Sequence, residues 1–449
     1  MKKTASFVSN HMSDDITRLI LDRKKWPDID MDLAVSCISS RRKLKGKVQE
    51  WYDNAELIFP AALSAEQCSS SATALYKASL AEHIVTASED KESFRIADLT
   101  GGLGVDSWFF SKKASQVLYN EMQEALCNAA AYNFRILGAG NITISNHAVV
   151  PSGKDVSPAA SEDTVHASHE GLEISPALLL EDFSPDIIFM DPARRGEGGK
   201  KVFLIEECTP DVLTLKAGLF AISRHLLIKL SPMADISMVC ERLGKCCREV
   251  HVVAAGGECK ELLIWMDREW CGEYGITAVE LHNDGTADSF SFTPSEERSG
   301  TASAPYQCTI RNTAYSNDND GNRCPSECYI FEPGKALMKA GAFNTVATRF
   351  GLNKLGVSTH YYITDDPAKA AELKKYGKVF RIIDSMPLDK RTVKETGKRF
   401  PHSEVTARNI PMDTDTLRKK LGVTSGDDAH IFGLKSDTDG NILLVTVRI

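Results

Sequence analysis

Short apolar runs separated by helix-length polar stretches set the pattern from Phe94 to about Met266. FRIADL, QVLYNE, NITISN, PDIIFMD, RHLLIKL, EVHVVAA and LLIWM are the runs of strand length. Strands alternating with helical segments predict βαβ units and a mostly parallel α/β sheet covered by helices on both faces. Residues 1–90 mix charged and apolar groups with few glycines, which predicts a helical N-terminal region. Inside it, SAEQCSSSATALYKASL (Ser64 to Leu80) places Gln67 three positions after Ser64. That is the spacing of a capping box, so a helix is predicted to start at Ser64.

Two stretches interrupt the pattern. Residues 151–175 are poor in large apolar groups and read as a mobile insertion between strands. Residues 281–328, rich in Ser, Asn, Asp, Thr and Gly, read as a linker and domain boundary. Beyond it, Ala336 to Leu355 predicts one or two short helices, and HYYIT and EVTARN predict strands. TDTLRKKL predicts a helix that stops at Gly422, and HIFGLK, DTDG and ILLVTVRI predict a terminal hairpin. The organisation expected is a helical region over 1–90, a sheet domain over 91–280, the linker, and a small α+β C-terminal module.

A length of 449 residues exceeds what one core usually organises, in keeping with that division. With 43% apolar and 25% charged residues, the composition is that of a soluble globular chain. No apolar run approaches the roughly 20 residues needed to cross a bilayer, so no membrane span is expected. The opening MKKTASFVSNHMSDD has the lysines of an export signal without its apolar core, and the twelve cysteines form no regular framework. Both point to a reducing, cytoplasmic location.

The most informative segment is Ile96-Ala-Asp-Leu-Thr-Gly-Gly-Leu-Gly-Val-Asp106, which follows a strand and precedes an amphipathic helix. Gly101, Gly102 and Gly104 let a tight loop pass close to a ligand, and the helix start offers free backbone N–H groups. Asp98, on the strand just before the loop, can pair with a cation such as the ammonium of S-adenosylmethionine. Glu121, at the end of the next strand, is placed to accept both hydroxyls of a ribose. A dinucleotide fold would want G-x-G-x-x-G, but counting from Gly102 the third position is Ser107, and an acid before the loop would repel a pyrophosphate. The methyl donor is therefore favoured over a dinucleotide, with Asp98, Thr100, Gly101, Gly102, Gly104 and Glu121 as its candidate site. Asn146, ending the third strand, is a candidate for the adenine edge and is equally well explained as a turn former.

A second constellation is Pro185-Asp-Ile-Ile-Phe-Met-Asp191-Pro-Ala-Arg-Arg195, a buried strand ending in DPARR. Ligands of doubly wound sheets gather at the carboxyl ends of strands near the switch in strand order. There Asp191 and the following backbone carbonyl could accept the two hydrogens of a planar amine and hold its lone pair toward a methyl group. Asp-Pro alone also serves to end a strand.

These residues meet a known family. The chain resembles class I S-adenosylmethionine-dependent methyltransferases, specifically the bacterial THUMP-like-domain methyltransferases. The resemblance rests on EQCSSSATALYKA, DLTGGLGVDS, DPARR with EECTPD, KLSPMADI, GGECKELL, ARNIP and LRKKL, from about residue 60 to the C-terminus. It implies a Rossmann-like seven-stranded methyltransferase sheet, a ferredoxin-like piece over 329–370 and a THUMP-like RNA-binding module over 371–449. DPAR is similar to the [DN]-P-P-[YF] signature of amino-group methyltransferases, with Ala193 and Arg194 in place of the second Pro and the aromatic residue. Asp191, Pro192 and Arg194 then present the acceptor, and an Arg guanidinium can stack on a base or hold a phosphate.

Further candidates carry plainer readings beside the functional one. Lys229, Ser231 and Asp235 follow the fifth strand, where helix capping also explains the serine and aspartate. Glu258, Lys260 and Glu261 suit a solvated turn. Glu66, Gln67, Ser69, Ser70, Thr73 and Lys77 could roof the donor pocket or face solvent. Cys324-x-x-x-Cys328 with Cys308 lacks a second matched pair, so no metal is expected. The net charge of -8 is uneven: residues 371–420 carry 13 basic against 7 acidic groups and residues 1–47 carry 11 against 6, whereas residues 155–211 carry 13 acidic against 4 basic. Lys390, Arg391, Lys394, Lys398, Arg399, Arg408 and Arg418 to Lys420 could contact RNA phosphates. The expected activity is methylation of a base nitrogen in RNA, transfer or ribosomal. The alternatives are a protein or small-molecule methyltransferase, or a non-catalytic RNA-binding protein that retains the fold.

Overall fold

The computed structural model describes residues 2–89, 91–151, 171–194, 204–300 and 328–449. The first segment is helical, as its pattern predicts: α1 (Lys2–Asn10), α2 (Ile16–Leu21), α3 (Met31–Leu44), α4 (Gln49–Asp53), α5 (Ala62–Gln67) and α6 (Ser71–Glu89). Asp15 and Asp30 cap α2 and α3 by accepting the N–H groups of Arg18 and Leu33. The start expected at Ser64 lies inside α5, whose cap residue Ala61 has no side-chain bond to offer. The reciprocal cap falls six residues on. The Thr73 N–H donates to Ser70 Oγ at 3.2 Å and the Ser70 N–H to Thr73 Oγ1 at 3.1 Å, and from there α6 runs for 19 residues.

The sheet region follows with β1 (Arg95–Asp98), α7 (Val105–Ser111), β2 (Gln116–Asn120), α8 (Glu124–Ile136), β3 (Ile142–Ser145), β4 (His147–Val149), β5 (Leu172–Ile174) and α9 (Pro176–Leu179). It continues with β6 (Ile187–Met190), β7 (Ala193–Arg194), β8 (Cys208–Thr209), α10 (Val212–Ile222), β9 (His225–Leu230), α11 (Ile236–Leu243), β10 (Cys247–Ala255) and β11 (Glu258–Asp267). Seven of these strands lie in the order β3-β2-β1-β6-β9-β11-β10. β3, β2, β1, β6 and β9 run parallel, and β11 is antiparallel to β9, with Leu262 opposite Leu230. The direction of winding reverses between β1 and β6, which makes their carboxyl ends the switch point. Ile187 to Met190 are all buried, as expected of a strand covered on both faces.

No domain break falls at residue 90. Residues 1–255, 260–274 and 281–285 form one unit. α6 packs on α7, β9 and β10, and Ala129 and Tyr132 of α8 join the core built by α1, α2 and α3. A buried amide seals this contact: Asn133 Oδ1 accepts the Ile58 N–H at 2.9 Å and Nδ2 donates to the Ile58 carbonyl at 2.8 Å. Of the expected insertion, residues 152–170 lie outside the described residues, while 171–175 supply β5 and the Ser175 cap of α9.

The second unit takes in residues 256–259, 275–280 and 286–449. Its elements are β12 (Gly275–Leu281), β13 (Ala287–Phe292), α12 (Pro294–Ser299), β14 (Tyr329–Pro333), α13 (Lys335–Ala340), α14 (Phe343–Phe350), β15 (Asn353–Lys354), β16 (Tyr362–Thr364) and α15 (Pro367–Leu373). β17 (Gly377–Pro387), α16 (Lys390–Arg399), β18 (His402–Arg408), α17 (Thr414–Leu421), β19 (Thr424–Ser436) and β20 (Gly440–Arg448) complete it. Residues 287–299, expected in the linker, are therefore a strand and a helix. ADSFSF buries Phe290 and Phe292 on one face at period two, and Thr293 with Glu296 forms a capping box. Residues 301–327 lie outside the described residues, and with them Cys308 and Cys324.

Seven strands of this unit form a sheet in the order β15-β16-β14-β17-β20-β19-β18, antiparallel except for β18 on β19. Both faces are apolar. Ile442 and Leu444 of β20 enter one core with Tyr361 and Phe432, while Leu443 and Val445 enter the other with α16 and α17. Gly397 lets α16 lie against α17, since a Cβ there would strike the Leu421 carbonyl.

Candidate active site

The turn from β1 into α7 is fastened on both sides before any ligand is considered. The Leu99 N–H donates to the Phe189 carbonyl at the end of β6, and the Gly101 N–H to the Asn120 carbonyl at the end of β2. Gly101 is required because a Cβ would run into the Tyr119 ring, whose hydroxyl donates to the Gly102 carbonyl at 2.7 Å. Gly102 and Gly104 have φ of +54° and +91°, and a Cβ on Gly104 would sit 2.7 Å from Phe134. Two of the three glycines thus answer to aromatic side chains behind the loop.

Asp98 is buried at 1% exposure, accepting the Ser107 hydroxyl at 2.5 Å and the Thr100 N–H at 3.1 Å. Burial pushes its carboxyl up to about 7, with Asp106 and Asp191 adding to the rise and the two hydrogen bonds opposing it. Glu121, just past β2, accepts the Gly102 N–H on Oε2 at 2.9 Å and the Gln123 N–H on Oε1 at 2.8 Å, and burial raises its carboxyl too. Both hydrogens of the Asn146 amide are spent on the Glu121 and Met122 carbonyls, at 2.6 and 3.1 Å. Asn146 therefore fixes the turn that carries Glu121.

Thr100 joins the two constellations, because its Oγ1 accepts the Asp191 N–H at 2.6 Å. Asp191 Oδ2 in turn is held by Lys229 Nζ at 2.5 Å. Burial alone would lower the Lys229 ammonium, but Asp191, Glu261 and Asp106 outweigh it and raise the group above its ordinary value. Lys77, fully buried on α6, donates to both oxygens of Glu261 at 2.8 and 3.0 Å and to Ser69 at 2.9 Å, and lies 3.2 Å from Asp106. Ser69 closes the ring on Asp106 at 2.8 Å. The solvated readings of Lys77 and Glu261 thus fail: at 0% and 2% exposure they form an ion pair from α6 to β11.

Other candidates fall outside this cluster. Asp235 caps α11 through the Met238 N–H and Ser231 accepts the Met233 N–H. Glu66 is exposed and pairs with Lys43, and Gln67 ends α5. Pro192 directly follows Asp191; Arg194 lies in β7 opposite Cys208, and its side chain is outside the described residues. No group of three His, Cys, Asp or Glu residues among the described ones could hold a metal ion. Asp106 and the hydroxyl of Ser107 were not singled out from sequence. Two polar residues inside the apolar run of VDSWFF were the available signal.

Comparisons with known proteins agree with this architecture. A family profile for a ferredoxin-like domain matches residues 329–370, and one for a THUMP domain-like family matches residues 377–448. No curated protein matches the chain. A crystal structure named "putative methyltransferase", from Porphyromonas gingivalis W83, is 27% identical, with a TM-score of 0.77 over 100% of this chain and 98% of that one. A Streptococcus mutans structure of the same designation, in complex with SAH, is 13% identical with a TM-score of 0.26, over 42% of this chain and 96% of that one. An rRNA methylase from Streptococcus thermophilus is 11% identical with a TM-score of 0.26, over 42% and 93%. The chain has the architecture of a methyltransferase in its first unit, followed by a ferredoxin-like domain over 329–370 and a THUMP-like domain over 377–448.

Proposed function

We propose that the protein is a cytoplasmic class I methyltransferase that uses S-adenosylmethionine to methylate a base nitrogen in RNA. One observation carries this reading: Thr100 Oγ1 on the Asp191 N–H ties the glycine loop, with Asp98 and Glu121, to the end of the DPARR strand. The donor set fits such a cofactor. Asp98 is a buried acid raised by desolvation, which a cationic ammonium would return to its ionised form. Glu121 accepts the Gly102 N–H on Oε2 and the Gln123 N–H on Oε1, and a carboxylate so held retains lone-pair capacity for the hydroxyls of a ribose. Gly101, Gly102 and Gly104 bring the backbone close, and the start of α7 offers N–H groups. When bound, the donor supplies an electrophilic methyl group.

The chain's own residues then position the acceptor. With Oδ2 taken by Lys229 and the N–H by Thr100, Asp191 keeps Oδ1 for one hydrogen of an amine. Pro192 stiffens the backbone whose carbonyl would accept the other. A fixed ammonium on Asp191 disfavours a cationic acceptor such as a lysine side chain and suits an uncharged base amine. The THUMP-like domain would hold the RNA. Its α16 exposes Lys390, Arg391, Lys394, Lys398 and Arg399, and Lys419 and Lys420 are exposed on α17. Among the described residues Lys390, Lys394, Lys398 and Lys420 have no carboxylate partner.

Mass spectrometry of RNA nucleosides from cells with and without the protein tests the reading. One methylated base should disappear with the protein and return with the wild type but not with Asp191→Ala. Identical nucleoside profiles would overturn it.

A further inference from the structure

A surface cavity of about 340 Å³ opens among the ends of α1 and α3 and helix α4. Small-molecule sites span roughly 300–1,000 Å³. Its lining includes Ser9, Asn10, Ser13, Arg42, Lys45 and Tyr52, so the charged groups it presents are two cations and no carboxylate. Arg42 is fixed in place, donating from Nε to the Met12 carbonyl at 2.9 Å and from Nη2 to the Asp14 carbonyl at 2.6 Å, which leaves Nη1 and the charge uncommitted. The Asp14 carboxylate turns to His11 at 2.7 Å. Lys45 is exposed without a partner among the described residues, and the Tyr52 hydroxyl makes no hydrogen bond there.

We propose that this cavity binds one nucleotide of an RNA strand, with the phosphate on Arg42 and Lys45 and the base against the Tyr52 ring. A guanidinium held by backbone carbonyls is oriented before the ligand arrives, so little side-chain entropy is lost on binding. A half-buried phenol ring offers a flat face that any base can stack on. Ser9, Asn10 and Ser13 add hydroxyl and amide groups for the sugar or the base edge. Carboxylate ligands would satisfy the cations but leave the ring without a planar partner. The proposal rests on the RNA reading above and adds to it a second contact, built from the helical region.

Fluorescence anisotropy with labelled bulk transfer RNA tests it, alongside calorimetric titration with CMP, both with SAH in excess to keep nucleotides off the glycine loop. Arg42 supports backbone carbonyls and its replacement risks the local fold, so Lys45→Glu and Tyr52→Leu are the variants of choice. Lys45→Glu should weaken RNA binding roughly tenfold at low salt and lower the salt slope by about one. Tyr52→Leu should weaken it roughly fivefold or more with the slope unchanged. Both variants binding RNA as the wild type does would overturn the assignment. CMP bound in the cavity and undisplaced by RNA would also overturn it, in favour of a free mononucleotide. Failure of the wild type itself to bind RNA would instead bring down the RNA reading on which the proposal stands.

Discussion

Asp98 holds its proton to about 7 because it is buried beside two other acids. Below that pH the carboxyl is neutral, so affinity for a cationic donor should fall as pH drops, by at most about tenfold per unit. Calorimetry with S-adenosylmethionine between pH 5 and 8 checks this, and Asp98→Ala should bind at least about tenfold more weakly and lose the dependence. The linkage to stability has the opposite sense. The folded protein keeps a proton that the unfolded chain releases near pH 4, so this group favours folding at low pH and that contribution is lost as pH rises through about 7. Gly101→Ala should disorder the loop through Tyr119 and abolish donor binding while the sheet stays folded, which circular dichroism and calorimetry together would show. Asp98, Glu121 and Asp191 stand out as candidates in the sequence because each lies at the end of a strand beside a recognisable turn, and the structure places them at neighbouring strand ends. Asn146 could not be resolved between ligand and turn, since both uses put an asparagine after a strand.

Elements are joined by contacts of high sequence separation, and these are where replacement should cost most. Lys77 and Glu261 lie 184 positions apart and pair with almost no solvent between α6 and β11. Lys77→Met removes the direct ion-pair partner of the buried Glu261 and should destabilise by about 3–5 kcal/mol, whereas adding Glu261→Gln should recover part of the loss. Denaturant titration of both variants decides it. Gly397→Ala should lower stability by roughly 1–3 kcal/mol by forcing α16 away from the Leu421 carbonyl. The strands of the first unit were legible because parallel strands buried on both faces read as continuous apolar runs. β17 and α16 were not picked out, because β17 carries polar residues such as Asp384 and Ser385 and α16 hides Val393 within a charged sequence. Capping was read correctly in kind and misplaced by six residues, since Ser64 and Ser70 offer the same local chemistry and only the break after α5 chooses between them.

Across the whole molecule the net charge of -8 conceals basic segments at the start of the chain and in the THUMP-like domain. If RNA is the partner, binding should weaken steeply with salt, with a log–log slope near -0.9 per phosphate contact on a duplex. Replacing Lys390, Lys394 and Lys398 together should reduce that slope by up to about three, as anisotropy at several ionic strengths would show. The sequence by itself determined the α/β sheet, the glycine turn, the acids at the strand ends and the terminal module. Those follow from periodicity and local turn chemistry, which act over a few residues. Only the tertiary structure decided that the helical region shares a unit with the sheet, that residues 287–299 are a strand and a helix, and that Lys229 and Lys77 stand inside the site. Whether a lysine faces water or a buried carboxylate depends on which distant segment packs over it, and no local pattern records that.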